Sequence, residues 1–141
     1  MLPLFVTSNE DSASLLEVEG GRFRMLEQGS IARFASGYQY LLLERGLARY
    51  LKALKVPGIT LAPAVILNPT TGEEHRTHMR VFGAKPIHAD DLGSLDLEGP
   101  QLFAMNGERY FVSPSLRFAL EANEFWFLEF SEGLSAFAGA A

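Results

Sequence analysis

The sequence predicts a single α+β domain of antiparallel hairpins with two principal amphipathic helices. Three observations carry this. Apolar runs of strand length recur along the chain, punctuated by turn dipeptides such as Gly20-Gly21 and Asn106-Gly107. Two segments, "ERGLARYLKALK" and "PSLRFALEA", switch to the helical period. An apolar strand precedes and follows each of them, which suggests a strand–helix–strand repeat. A chain of 141 residues, 48% hydrophobic and 21% charged, is the size of one globular domain with a core of its own.

Taken in order, "LPLFV" reads as a short strand ended by the polar run "TSNEDS". "SLLEVEGGRFRMLE" alternates in part around Gly20-Gly21 and reads as a hairpin. "YQYLLL" (Tyr38–Leu43) suits a buried strand. From Glu44 to Lys55 the residues Leu47, Tyr50, Leu51 and Leu54 form one apolar stripe, with Arg45, Arg49 and Lys52 facing away. Pro57-Gly58 stops that helix, and "ITLAPAVIL" (Ile59–Leu67) follows as a strand whose Pro63 implies an edge or a bulge.

"NPTTGEE" (Asn68–Glu74) is a turn, and "HRTHMRVF" is the return strand of its hairpin. "GAKPIHADDLGSLDLEGP" is polar and rich in Gly and Pro, hence a loop with at most one short turn of structure. "LFAM-NG-ERYFV" is a second hairpin of the type I′ kind. Ser113 caps the second helix, Pro114 opens it, and Leu116, Ala119 and Leu120 give its stripe. "FWFLEF" supplies an aromatic strand, in which Trp126 reads as core, and the tail "GLSAFAGAA" is expected to fray. A shift of 69 positions lays Leu47 on Leu116, Leu51 on Leu120 and Ala53 on Ala122.

Composition then narrows the function. With no cysteine, disulfides, thiolate metal sites and cysteine nucleophiles are excluded, and a reducing compartment fits. "MLPLFVTSNEDS" has no basic n-region, and the longest apolar stretch is too short to span a bilayer. A cytoplasmic protein that engages no membrane is expected. The net charge of −5 argues against nucleic acid as a ligand, because phosphate binding needs concentrated Lys and Arg. The eleven phenylalanines supply core volume, and any left exposed would favour a partner interface.

Candidate chemistry concentrates in "TTGEEHRTHMRVFGAKPIHADD", which holds His75, His78 and His88 beside Glu73, Glu74, Asp90 and Asp91. On a helix, His75 and His78 would share a face and could share a metal. On a strand their odd separation sends them to opposite faces, so a shared ion would need a bulge. The chain has no H-E-x-x-H, no H-x-E with its partner motif and no G-x-S-x-G. Neither catalytic residue, metal nor cofactor is therefore expected. The acids of the two turns read instead as contact charges for a partner, because turns carry function and these cluster. A small metal-dependent or ligand-binding protein using the histidine region is the alternative, and a regulatory domain with an aromatic ligand pocket is a third.

"YLLLERGLARYLKALKVPGITLAPAVILNPTTGEEHRTHMRV" and "LFAMNGERYFVSPSLRFALEANEFWFLEF" resemble a family of bacterial immunity proteins of polymorphic toxin systems, immunity family eleven. The likeness covers about residues 37–130, and residues 1–36 match poorly. A related branch carries paired CxxCG motifs, which this chain lacks, and relatives often have tyrosines where His75 and His78 stand. The resemblance implies a small non-enzymatic protein of interbacterial competition that binds and neutralises a cognate toxin effector. It carries over no catalytic residue and no interface residue.

Overall fold

The structure, a computed structural model, describes residues 2–132, so the tail "GLSAFAGAA" lies outside the described residues. The first strands are β1 (Leu4–Ser8), β2 (Leu15–Glu19), β3 (Arg22–Met25), β4 (Phe34–Gly37) and β5 (Tyr40–Glu44), followed by helix α1 (Arg45–Ala53). Next come β6 (Thr60–Pro63), β7 (Val65–Leu67), β8 (Glu74–His75), β9 (His78–Phe82) and β10 (Lys85–Ile87). A single 3-10 turn (Ala89–Asp91) leads to β11 (Leu102–Met105), β12 (Arg109–Val112), α2 (Pro114–Ala122) and β13 (Leu128–Glu132). The fold is α+β in one small domain, as the patterning predicts.

The strands form three sheets. Two have the same plan: β4-β5-β9-β6, and β11-β12-β1-β13 with β10 added outside β11. In both plans a hairpin leads into a helix, the next strand returns to the far side, and a strand from elsewhere fills the gap. The repeat holds at the level of register. Leu43 pairs with Met79 and Val112 with Leu4, while Met79 pairs with Pro63 and Leu4 with Glu132. Both helices run nine residues, and Tyr50 Oη donates to Ala119 O, at the position 69 residues on, at 3.1 Å. Just past the helix ends, Lys55 (φ 58°) and Glu124 (φ 63°) both adopt the left-handed conformation.

The residues before position 37 thus complete the repeat, since β1 does for the second sheet what β9 does for the first. The inward faces of both sheets and both helices share one core, including Leu4, Leu41, Leu47, Val81, Leu116 and Leu128. The alternating pattern of each strand explains the second set of buried residues on the opposite faces. Ala35, Tyr40 and Leu42 pack against the third sheet, β2-β3-β7-β8. Phe103, Met105 and Phe111 pack under the segment after β10, through Leu92, Leu95 and Leu97.

Several expectations change in detail. "ITLAPAVIL" is two strands, because the long hairpin around "NPTTGEE" bends at the buried Ala64 and at Arg76-Thr77. Its tip, β7–β8, joins the third sheet while its base, β6–β9, stays in the first. The pairing slips by one residue across the bend, from Pro63↔Met79 to Ile66↔His75, as a bulge requires. Pro63 stands on an edge strand, where its missing N–H costs no ladder bond. At the base, Gly58 and Gly83 both have positive φ, and a Cβ on Gly83 would run into the Gly58 carbonyl.

The predicted loop after Phe82 contains β10, which pairs in parallel with β11 at the sheet edge and tolerates Pro86 there. Phe34–Gly37 is a strand that its sequence did not announce, and Tyr38 belongs to the turn after it rather than to β5. In the second hairpin Asn106 (φ 56°) and Gly107 (φ 68°) have the positive φ of the expected turn. Pairing of Met105 with Arg109 adds Glu108 to that loop.

The two helix starts differ. Ser113 is fully buried, and its Oγ accepts from Leu116 N (3.4 Å) and Gln101 N (2.9 Å) and donates to Gly99 O (2.7 Å). Glu44, its counterpart at α1, makes no side-chain cap bond. Ser113→Ala removes the cap and orphans buried backbone groups, so chemical denaturation should show a loss of about 1–3 kcal/mol. Glu44→Ala should change stability far less, and an equal loss at both positions would refute the assignment.

Candidate functional site

Asn68 organises the first acidic turn. Its Oδ1 accepts from Thr70 N (3.0 Å) and Thr71 N (3.3 Å), and its N donates to Glu73 O at 2.8 Å. Glu73 is left exposed, 3.7 Å from His75 Nε2. Glu74 sits between Arg22 (2.7 Å) and Arg76 (3.1 Å). The Arg22 hydrogen bond, chiefly, holds its carboxyl below the usual carboxylate range. Asp90 and Asp91 belong to the 3-10 turn after β10, where Asp90 is exposed and Asp91 Oδ2 accepts from His88 N at 3.1 Å. The four acids thus divide between two separate turns, one leading into β8 of the third sheet and one following β10, and Glu74 and Asp91 already hold neighbours in place.

The bend also separates the histidines. His75 pairs with Ile66 in the third sheet, and His78 with Glu44 in the first. His78 is buried, contrary to the partly exposed position that a hairpin histidine suggests. A carbonyl can only accept, so His78 Nε2–H donates to Ala32 O (2.8 Å) and Nδ1 accepts from Thr77 Oγ1 (2.8 Å). Both ring nitrogens are engaged by the neutral imidazole, which leaves none for a metal. Among the described residues no group of three or more His, Asp or Glu side chains could hold a metal ion.

Burial pushes the His78 pKa down, against the opposing pull of the Ala32 carbonyl, Glu44 and Glu10. A histidine that is neutral when folded stabilises fully above its unfolded pKa of about 6.5. Below that value the unfolded chain takes up the proton first, so stability falls as pH drops toward the lower folded pKa. Thermal unfolding should therefore show a loss as pH falls below about 6.5 that is diminished in His78→Gln. An unchanged slope in the variant would refute this.

One concave surface lies between the β1–β2 connection and β4, a cleft of about 410 Å³. Glu10, Ser12, Ser36 and Tyr38 are among its lining residues. Ser12 Oγ accepts from Ala32 N (3.1 Å) and donates to Ala13 O (3.3 Å), so this serine braces the wall. Glu10 pairs with Arg33 (3.8 Å), whose guanidinium lies 5.2 Å from the Trp126 ring centroid. Asn9 fixes the aromatic segment from the other side, through its N to Phe127 O (2.8 Å) and its Nδ2 to Trp126 O (3.1 Å).

Trp126 is 63% exposed, which corrects its reading as core. The strand begins only at Leu128, because Leu128 N closes a turn onto Phe125 O at 3.0 Å. Residues 125–127 therefore precede the strand, and Phe127 takes the buried position while Trp126 faces out. No local pattern announces this, since three adjacent aromatic residues carry no period. Tyr38 (72%) and Phe118 (77%) are likewise exposed. No family model, curated protein or solved structure matches the chain. Among the described residues no helix is long and apolar enough to cross a membrane.

Proposed function

We propose that the protein is a non-enzymatic immunity protein of the cytoplasm that binds and neutralises a cognate bacterial toxin effector. The observation that carries this reading is the exposure of Tyr38, Phe118 and Trp126 (72%, 77% and 63%). Aromatic side chains are enriched at protein interfaces, and Trp and Tyr are common among the residues that carry binding energy there. The resemblance of residues 37–130 to immunity family eleven names the kind of partner. Glu73, Glu74, Asp90 and Asp91 are the charged contacts of this proposal, with exposed Glu73 and Asp90 the freer to reach a basic surface.

The test is co-expression with the product of the adjacent gene, followed by co-purification and a growth-rescue assay. A stable complex and restored growth are expected. A neighbouring toxin that neither binds nor is neutralised would sink the reading. An affinity that survives charge reversal at all four acids removes them from the interface.

A further inference from the structure

The structural repeat provides an internal comparison. Between α1 and β6 lies a cavity of about 420 Å³, lined by Lys52, Lys55, Val56, Ile59, Thr60 and Leu61. It continues past Lys52 and Leu61 into a further 160 Å³ beside Ala48, Arg49 and Arg45. The floor of this groove is apolar and one wall is cationic. Arg49, Lys52 and Lys55 are exposed and make no ion pair among the described residues. This concentration occurs in a chain whose net charge is −5.

The matching positions of the other half carry different residues. Arg117 stands at the position of Ala48 and Phe130 at that of Leu61, each 69 residues on. The Arg117 guanidinium lies 5.8 Å from the Phe130 ring centroid and pairs with Glu121 at 2.8 Å. Lys52 and Lys55 correspond to Glu121 and Glu124, so the charge is reversed. The α1 groove is therefore lined by cations that make no ion pair among the described residues, where the other half carries Glu121, Glu124 and an ion-paired Arg117 near Phe130.

We propose that the α1–β6 groove is a docking site for an acidic segment of a partner protein that carries spaced apolar side chains. The cations would meet its carboxylates while Val56, Ile59 and Leu61 take its apolar residues. Nucleic acid fits less well, because the floor is apolar and the protein as a whole repels phosphate. The proposal rests on the toxin-binding reading only for the identity of the partner.

The full chain is titrated with a labelled peptide of about four helical turns, with Leu at helical spacing and Glu elsewhere. The control peptide has Lys in place of Glu, and binding is followed by amide chemical shifts. The acidic peptide should shift Ala48, Lys52, Val56 and Leu61, and the basic one should not. Lys52→Glu with Lys55→Glu should weaken binding by at least about tenfold at low salt, and by less at high salt. Leu61→Gln should weaken it without changing the salt dependence.

No response to the acidic peptide, or an equal response to both, overturns the proposal. So does an oligonucleotide that binds the groove in the peptide's place. Self-association that is broken by the double Lys variant and restored by Glu121→Lys with Glu124→Lys would identify a second copy as the occupant and overturn it too. If the neighbouring toxin binds the double Lys variant as tightly as the wild type, the groove proposal fails and the immunity reading stands. If the acidic peptide binds and the toxin does not, the immunity reading fails and the groove stands.

Discussion

Phe111→Ala should lower stability by about 3–5 kcal/mol, a large share of the total for a domain of this size. Phe111 is fully buried, 5.5 Å from the Phe5 ring centroid, in a cluster with Ile87, Leu92, Phe103 and Met105. Among the described residues, the segment around Leu92, Leu95 and Leu97 packs on that cluster together with Leu2 and Phe5, so the cost depends on how far this segment can settle into the space the ring leaves. Hydrogen exchange should accelerate from Lys85 to Leu97 along with the fall in the denaturation midpoint. A loss below about 1 kcal/mol would mean that this segment collapses into the space, and that the cluster is softer than its burial implies.

Glu17→Ala should cost about 3 kcal/mol, the low end for breaking a buried ion pair, because Glu17 keeps some contact with water. Its partner Arg80 has a side chain only 11% exposed, while that of Glu17 is 32% exposed. Arg80 Nη1 pairs with Glu17, and Nη2 donates to Gln39 O at 3.0 Å. The guanidinium lies 5.5 Å from the Phe23 ring centroid and 4.6 Å from that of Phe82. The Nε is buried and finds no partner among the described residues. Losing Glu17 strands a guanidinium that cannot give up its proton, in a site where burial already disfavours its charge.

The repeat indicates how the site could be built otherwise. Arg80 pairs with Leu42 as Phe5 pairs with Phe111, so the second sheet fills the matching position with an apolar ring. Arg80→Met combined with Glu17→Met should accordingly recover most of the loss. A double-mutant cycle by chemical denaturation would measure the coupling. If the double variant is no more stable than Glu17→Ala, the pair contributes to stability outright and is not merely tolerated.

Much of the fold was legible because local rules point one way at those positions. The stripe Leu47, Leu51 and the stripe Leu116, Leu120 are buried as their spacing requires. Ser113-Pro114 begins a helix, Gly20-Gly21 turns a hairpin, and "NPTTGEE" turns a longer one. The shift of 69 that lays Leu47 on Leu116 holds in the strand register as well. Where only local signals count, a short stretch of chain carries enough information.

The candidate site was much less legible, for reasons that belong to distance along the chain. His75 and His78 are three residues apart, yet the bend at Arg76-Thr77 assigns them to different sheets. Glu74 reads as a free surface charge until Arg22, from a hairpin 52 residues earlier, supplies its partner. Trp126 reads as core until Phe127 takes the buried place beside it.

By itself the sequence determined the class of fold, the two helices with their buried faces and the turn positions, and it suggested the repeat. Each depends on contacts within a few residues, where periodicity and turn chemistry act directly. Only the tertiary structure decided that β1 completes the second sheet and that the long hairpin divides between two sheets. It also decided that Arg117 pairs with Glu121 beside Phe130, while Arg49, Lys52 and Lys55 make no ion pair among the described residues. Those outcomes depend on which distant strand best covers an exposed edge and which side chain reaches into a given space. Neither competition leaves a local pattern in the chain.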